Sequence, residues 1–172
     1  MSDDSAGKRN RFSKLRFSLF TLFVVTTVAA IGLASTVMTS GDSISAARKI
    51  VAWFVAQDRI PGFEEDYIDS HIMKTRTEFV VICDFLPPDC NLSEDPRVRR
   101  MTAADYDRRM RQLGTNFHGT DYITIELVER SIFQVDLSVS NVFGELGGHG
   151  YDFSFYKRFF RLLARGEETW VS

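Results

Sequence analysis

The segment Tyr122-Ile123-Thr124-Ile125-Glu126-Leu127-Val128 alternates apolar and polar residues along most of its length. Successive side chains of a strand point to opposite faces, so this pattern predicts a strand with one face in a core and the other toward water. Residues 132–142 continue in β-type residues after a short turn at Glu129-Arg130-Ser131. The glycine-rich stretch Gly144-Glu-Leu-Gly-Gly-His-Gly150 then leads to Tyr151-Asp-Phe-Ser-Phe155, where alternation resumes. Farther on, Tyr156, Phe159, Phe160 and Leu163 fit helical spacing as well as a strand. A strand around Trp170 favours a hairpin there, and both readings stay open at this level.

Upstream the periodicity changes. In residues 44–58, Ala47, Ile50, Val51, Phe54 and Val55 share one helical face, with Ser43 placed to cap the helix and Pro61-Gly62 closing the segment. Phe79-Val80-Val81-Ile82 reads as a buried strand ended by Pro87-Pro88. A second helix starts at Thr102, with Asp105 three residues on, and stops at Gly114. The expectation is an α+β domain, with an antiparallel sheet of about three to five strands packed on one or two helices.

The N-terminal region has a different character. Residues 17–41 are 25 without a charge, preceded by a basic segment ending Lys14-Leu15-Arg16. A bilayer core of about 30 Å needs roughly 20 apolar residues, so the run predicts one transmembrane helix. Residues 1–16 carry a net charge of +3 and residues 42–172 a net of −5, which together make the chain's −2. The positive-inside rule then predicts a cytoplasmic tail (1–16), a signal-anchor helix (17–41) and an extracytoplasmic domain (42–172), periplasmic in a bacterium. Cleavage after Ala34 is the alternative, because Gly32-Leu33-Ala34 offers small residues at the required positions.

The start Arg16-Phe17-Ser18-Leu19, followed by Thr21-Leu22, resembles the leader of bacterial single-pass membrane-anchored proteins. The resemblance covers about 25 residues and implies nothing about the domain. The order of helices, then a strand meander with a Gly-Tyr strand and a Trp strand, is similar to cystatin-like and NTF2-like folds, an analogy of shape that many functions share.

Chemical candidates are few. Cys83 and Cys90 enclose Asp84-Phe-Leu-Pro-Pro-Asp89. A bridge closing that ring would contribute about 2.5 kcal/mol by chain entropy, against the alternative of two free thiols. The Cys-x-x-Cys redox spacing is absent. His118, Asp121 and His149 are the candidates for an acid–base site, and with His71 they invite a metal reading that no spacing demands. No metal or other cofactor is expected. Gly144, Gly147, Gly148 and Gly150 read as a bulged connection needing positive φ rather than a phosphate cradle, since a strand follows them where a helix N-terminus is required. The acidic cluster Glu64-Glu65-Asp66 with Asp69 lacks calcium-loop spacing and reads as a solvated edge.

Arg97, Arg99, Arg100, Arg108, Arg109 and Arg111 form the densest charged feature and could face an anionic surface or an acidic partner. Asp105 and Asp107 stand at i,i+4 to Arg109 and Arg111, as on a solvated helix. The domain's acidic balance argues against nucleic acid as a partner. No Gly-x-Ser-x-Gly, His-Glu-x-x-His or Ser-x-x-Lys motif occurs. The sequence therefore points to a membrane-anchored, non-enzymatic binding or assembly module with a protein partner. A structural subunit of a membrane complex, or a small hydrolase with an NTF2-like pocket, are its alternatives.

Overall fold

The computed structural model describes residues 19–56, 58–63, 76–113, 120–142 and 147–171. Its elements in chain order are α1 (Leu19–Ala34), α2 (Ser40–Ala56), β1 (Glu78–Ile82), β2 (Val98–Met101), α3 (Ala103–Leu113), β3 (Thr120–Arg130), β4 (Gln134–Val142), β5 (Gly148–Arg158) and β6 (Arg161–Val171). The α+β expectation holds, with six strands in one sheet of order β2-β1-β3-β4-β5-β6. β1 runs parallel to both β2 and β3, and β3 to β6 form an antiparallel meander. The sheet is thus mixed and larger than the three to five antiparallel strands read from sequence. Four-residue β2, rich in arginine, gave no alternating signal.

The transmembrane helix is a correction. α1 has 16 residues, which at 1.5 Å each span about 24 Å, short of the roughly 30 Å of a bilayer core. Its last carbonyls are taken up locally: Ser35 Oγ donates to the Gly32 carbonyl and Thr36 Oγ1 to that of Leu33. The chain is then drawn onto the sheet, where Met38 N–H donates to the Ile132 carbonyl at 2.7 Å. Among the described residues no helix is long and apolar enough to cross a membrane. The single-pass anchor over residues 17–41 is therefore not supported. Neither is the topology that rested on it, a cytoplasmic tail and an extracytoplasmic domain.

α2 begins at Ser40, earlier than the expected residue 44, because Thr39 and Asp42 make the cap. The Asp42 carboxylate accepts from the Thr39 amide and hydroxyl, which is the reciprocal half of a capping box. Ser43, expected as the cap, is buried inside the helix. α2 lies on one face of the sheet, where Ala47, Ile50, Phe54 and Trp53 meet Phe79, Ile123, Leu137, Val139, Tyr151 and Phe153 in the main core. Trp53 is edge-on to Phe54, Phe63, Tyr151 and Phe153, with ring centroids 4.7 to 5.8 Å apart.

α3 covers part of the opposite face. Tyr106 and Met110 pack on Val80, Ile82 and Tyr122 in a smaller cluster. The Thr102–Asp105 cap forms as read: Thr102 Oγ1 donates to Asp105, and the Asp105 amide donates back to Thr102 Oγ1.

The stretch from Tyr156 to Leu163 is a hairpin, with β5 running to Arg158 and β6 starting at Arg161. The glycines of β5 serve a purpose other than the expected positive φ, since Gly62 alone among the described glycines has one. Gly148 and Gly150 are extended strand residues beneath the indole of Trp170. A Cβ at Gly148 would lie 2.8 Å from Trp170 Cη2, and one at Gly150 would overlap the pyrrole edge of the same ring. Gly144 lies outside the described residues.

Candidate interaction surface

α1 is exposed along its whole length, from Leu19 to Ala34, and buries no residue. It carries no charge, and Phe20 and Phe23 are 74% and 67% exposed. Thr26 Oγ1 turns inward on the helix, donating to the carbonyls of Leu22 and Phe23. What α1 offers a neighbour is therefore apolar contact on every side. A helix apolar all round is ordinarily a buried one, and each large apolar side chain gains about 1.5–3 kcal/mol on leaving water.

The base of α1 is fixed to the β5–β6 hairpin, besides the Met38 bond to Ile132 in the β3–β4 connection. Phe160 N–H donates to the Ser35 carbonyl at 3.2 Å, and Lys157 Nζ donates to that of Val37 at 3.3 Å. Lys157 also pairs with Asp42 at 2.7 Å. Burial alone would raise the Asp42 carboxyl, but hydrogen bonds from Lys157 and Thr39 outweigh it and hold the group below the usual carboxylate range.

Around this base the hairpin ends expose apolar groups. Ile132 and Phe133 project from the β3–β4 connection, and Phe159 and Phe160 from the β5–β6 turn. Phe159 and Phe160 both have positive φ, 50° and 63°. A two-residue turn of that kind favours Asn-Gly, and each non-glycine residue there costs roughly 1–2 kcal/mol. Two bulky rings in strained backbone, 75% and 64% exposed, contribute little to the fold that holds them. Backbone strain kept at an exposed position suits a contact made there.

The acid–base candidates lie at the other end of the sheet, on the α2 face. Asp121 is fully buried, with Oδ1 2.9 Å from Arg76 Nε in a geometry too bent for a hydrogen bond. Its Oδ2 has no hydrogen-bond partner among the described residues. Burial pushes this carboxyl up to about 6, against the opposing pull of Arg76. His149 sits opposite Asn141, with Nδ1 2.8 Å from Glu168 Oε1. Two strand spacings and a two-residue offset separate Asp121 from His149, about 12 Å, so the structure does not bring them together. His71 and His118 lie outside the described residues, as does the Glu64–Asp69 cluster. Among the described residues no three His, Cys, Asp or Glu side chains are grouped to hold a metal ion.

The arginines divide among local duties. Arg97 pairs with Asp95 at 2.7 Å, Arg108 with Asp105 at 3.1 Å, and Arg99 and Arg109 both meet Glu78. Arg100 donates to the carbonyls of Cys83, Leu86 and Pro87. Arg111 is exposed on the last turn of α3.

That role of Arg100 bears on the Cys83–Cys90 pair, for which the sequence left a disulfide and two free thiols both open; the disulfide reading is a second correction. Both thiols are free, and the turn between them is closed by the guanidinium instead. Cys83 is core, and burial raises its thiol to about 12 despite the nearby Arg100.

Comparison of the chain with protein-family models, with curated proteins and with solved structures finds no match. The fold analogies therefore remain analogies. Sequence reading missed the two hairpin ends as a surface; the available signal was Phe159-Phe160 set between two alternating segments.

Proposed function

We propose that the chain is a non-enzymatic assembly module. It joins a larger protein complex by packing α1 into an uncharged apolar surface of partner subunits and presents its α+β domain on that stem. The observation that carries this reading is α1 itself: sixteen residues without a charge, every one exposed. Exposed apolar surface on this scale marks an interaction site, and burial of several large side chains supplies enough free energy to offset the cost of association. The exposed rings at the hairpin ends extend the same apolar surface around the helix base. The distance between Asp121 and His149 and the local pairing of the arginines leave these groups with structural work.

Val25→Gln with Val28→Gln places two amides on α1 while keeping good helix formers. On native gels of cell extracts, the full chain is expected to run with a complex and the double variant to run at the mass of the free chain. Unchanged migration of the variant would overturn the proposal.

A further inference from the structure

The sheet face opposite α2 bears a charge pattern with its own symmetry. Beyond the part that α3 covers, this face is open: Asp152 and Glu167 are exposed, and Ser138 and Ser154 are half-buried. On it, Asp152 stands directly opposite Glu167 across β5 and β6, and six residues farther along Arg158 stands directly opposite Arg161. Like charges facing each other across strands are unfavourable. Among the described residues none of these four makes an ion pair.

The two pairs lie at equal distances from the Phe155–Ala164 pair, which marks the midpoint between them. Past the acidic pair lies Trp170, 41% exposed over Gly150, and past the basic pair lies the Phe159–Phe160 turn. Along β5 and β6 the two like-charged pairs are of opposite sign, one on each side of the midpoint, with Arg165 between them opposite Ser154.

We propose that this face is the contact of a two-fold homodimer. Its axis runs across the strands at the level of Phe155 and Ala164, so the two sheets pack face to face with their strands antiparallel. A rotation about that axis sets Arg158 and Arg161 of one copy over Asp152 and Glu167 of the other, twice, and sets each Trp170 over the partner's Phe159–Phe160 turn. Sheets packed face to face lie about 10 Å apart, a gap that an arginine and a carboxylate together span. The small serines Ser138 and Ser154 allow that approach. Strands of 11 residues across the β3–β6 width give a flat footprint of about 500 Å². This is of the order of the roughly 800 Å² that each partner of a stable pair buries. A rotation about the strand direction would instead set like charges together, so the pattern selects one dimer.

The test uses the full chain in a mild detergent that covers α1, with mass read by sedimentation. This pairing is thereby read apart from any complex made through α1. Arg158→Glu with Arg161→Glu, and separately Asp152→Arg with Glu167→Arg, are each expected to weaken self-association at least tenfold. An equimolar mixture of the two variants is expected to restore pairing, because an all-acidic face then meets an all-basic one. An unchanged mass for either variant alone, or no recovery on mixing two folded variants, would overturn the proposal. Should either variant fail to fold, the salt dependence of the wild-type chain decides. Dissociation between about 0.05 and 0.5 M salt is expected, where screening shortens to a few ångströms, and a salt-independent mass contradicts the pairing.

Discussion

Lys157 Nζ lies 2.7 Å from the Asp42 carboxylate, which ties the β5–β6 hairpin to the first turn of α2 and so to the base of α1. Both side chains are largely enclosed, 14% and 13% exposed. Lys157→Ala leaves that carboxylate without its cation and is expected to destabilise the domain by about 1–3 kcal/mol, read from urea unfolding. Faster amide exchange around residues 37–42 should accompany it. The Asp42 carboxyl is held below its ordinary value, so its contribution is present at neutral pH and is lost as pH falls through that lowered value. Loss of the Lys157→Ala effect on approach to that acidic range is the check.

Asp121 acts in the opposite direction. Its carboxyl rises from 3.8 to about 6 on folding, so the favourable contribution is complete below the unfolded value and disappears as pH climbs past about 6. Asp121→Asn is expected to flatten the stability–pH curve between about pH 4 and 6 and to raise neutral-pH stability by about 1–3 kcal/mol. Urea midpoints of both proteins across that window provide the measurement. A steeper curve in the variant would count against burial as the cause.

Phe159→Asn with Phe160→Gly should separate stability from association. Asn-Gly suits the positive φ of both positions, so the variant is expected to gain about 1–3 kcal/mol against urea. The same change removes two exposed rings, and both the assembly and the dimer described above should weaken. A gain in stability with undiminished association would show that the strained turn has no contact role.

Gly150→Val places a branched side chain where the Trp170 indole lies. The ring must leave the strand, at a cost of about 1–3 kcal/mol. Tryptophan emission should move to the red, because Trp53 stays buried in the core. An unshifted spectrum would mean that the ring is held by other contacts.

The parts of the fold set by local periodicity were legible in the sequence. Tyr151–Phe155 alternates because one side meets α2 and the other faces water, Ile123 and Ile125 meet α2 while Tyr122 packs under α3, and Thr102 and Asp105 announce α3. β2 was not, since its arginines are placed for Glu78 and for the turn carbonyls rather than for a core face. The span over residues 17–41 misled because composition records apolarity but not the Ser35–Thr39 break, which is made by a bond to Ile132 nearly a hundred residues away. Similarly, nothing near Cys83 and Cys90 in the chain reveals that Arg100 closes their turn. The charge symmetry of the open face needed the β5–β6 register, because Asp152 and Glu167 meet only once the hairpin is formed.

The most direct test of the assembly role puts a photoreactive residue at Phe23 on α1, with a second version carrying it at Glu126 on the open sheet face. Illumination of intact cells should give discrete protein cross-links of fixed stoichiometry from position 23, and these should vanish in the Val25→Gln, Val28→Gln background. Labelling of lipid alone from position 23, or protein cross-links indifferent to the two glutamines, would contradict the account.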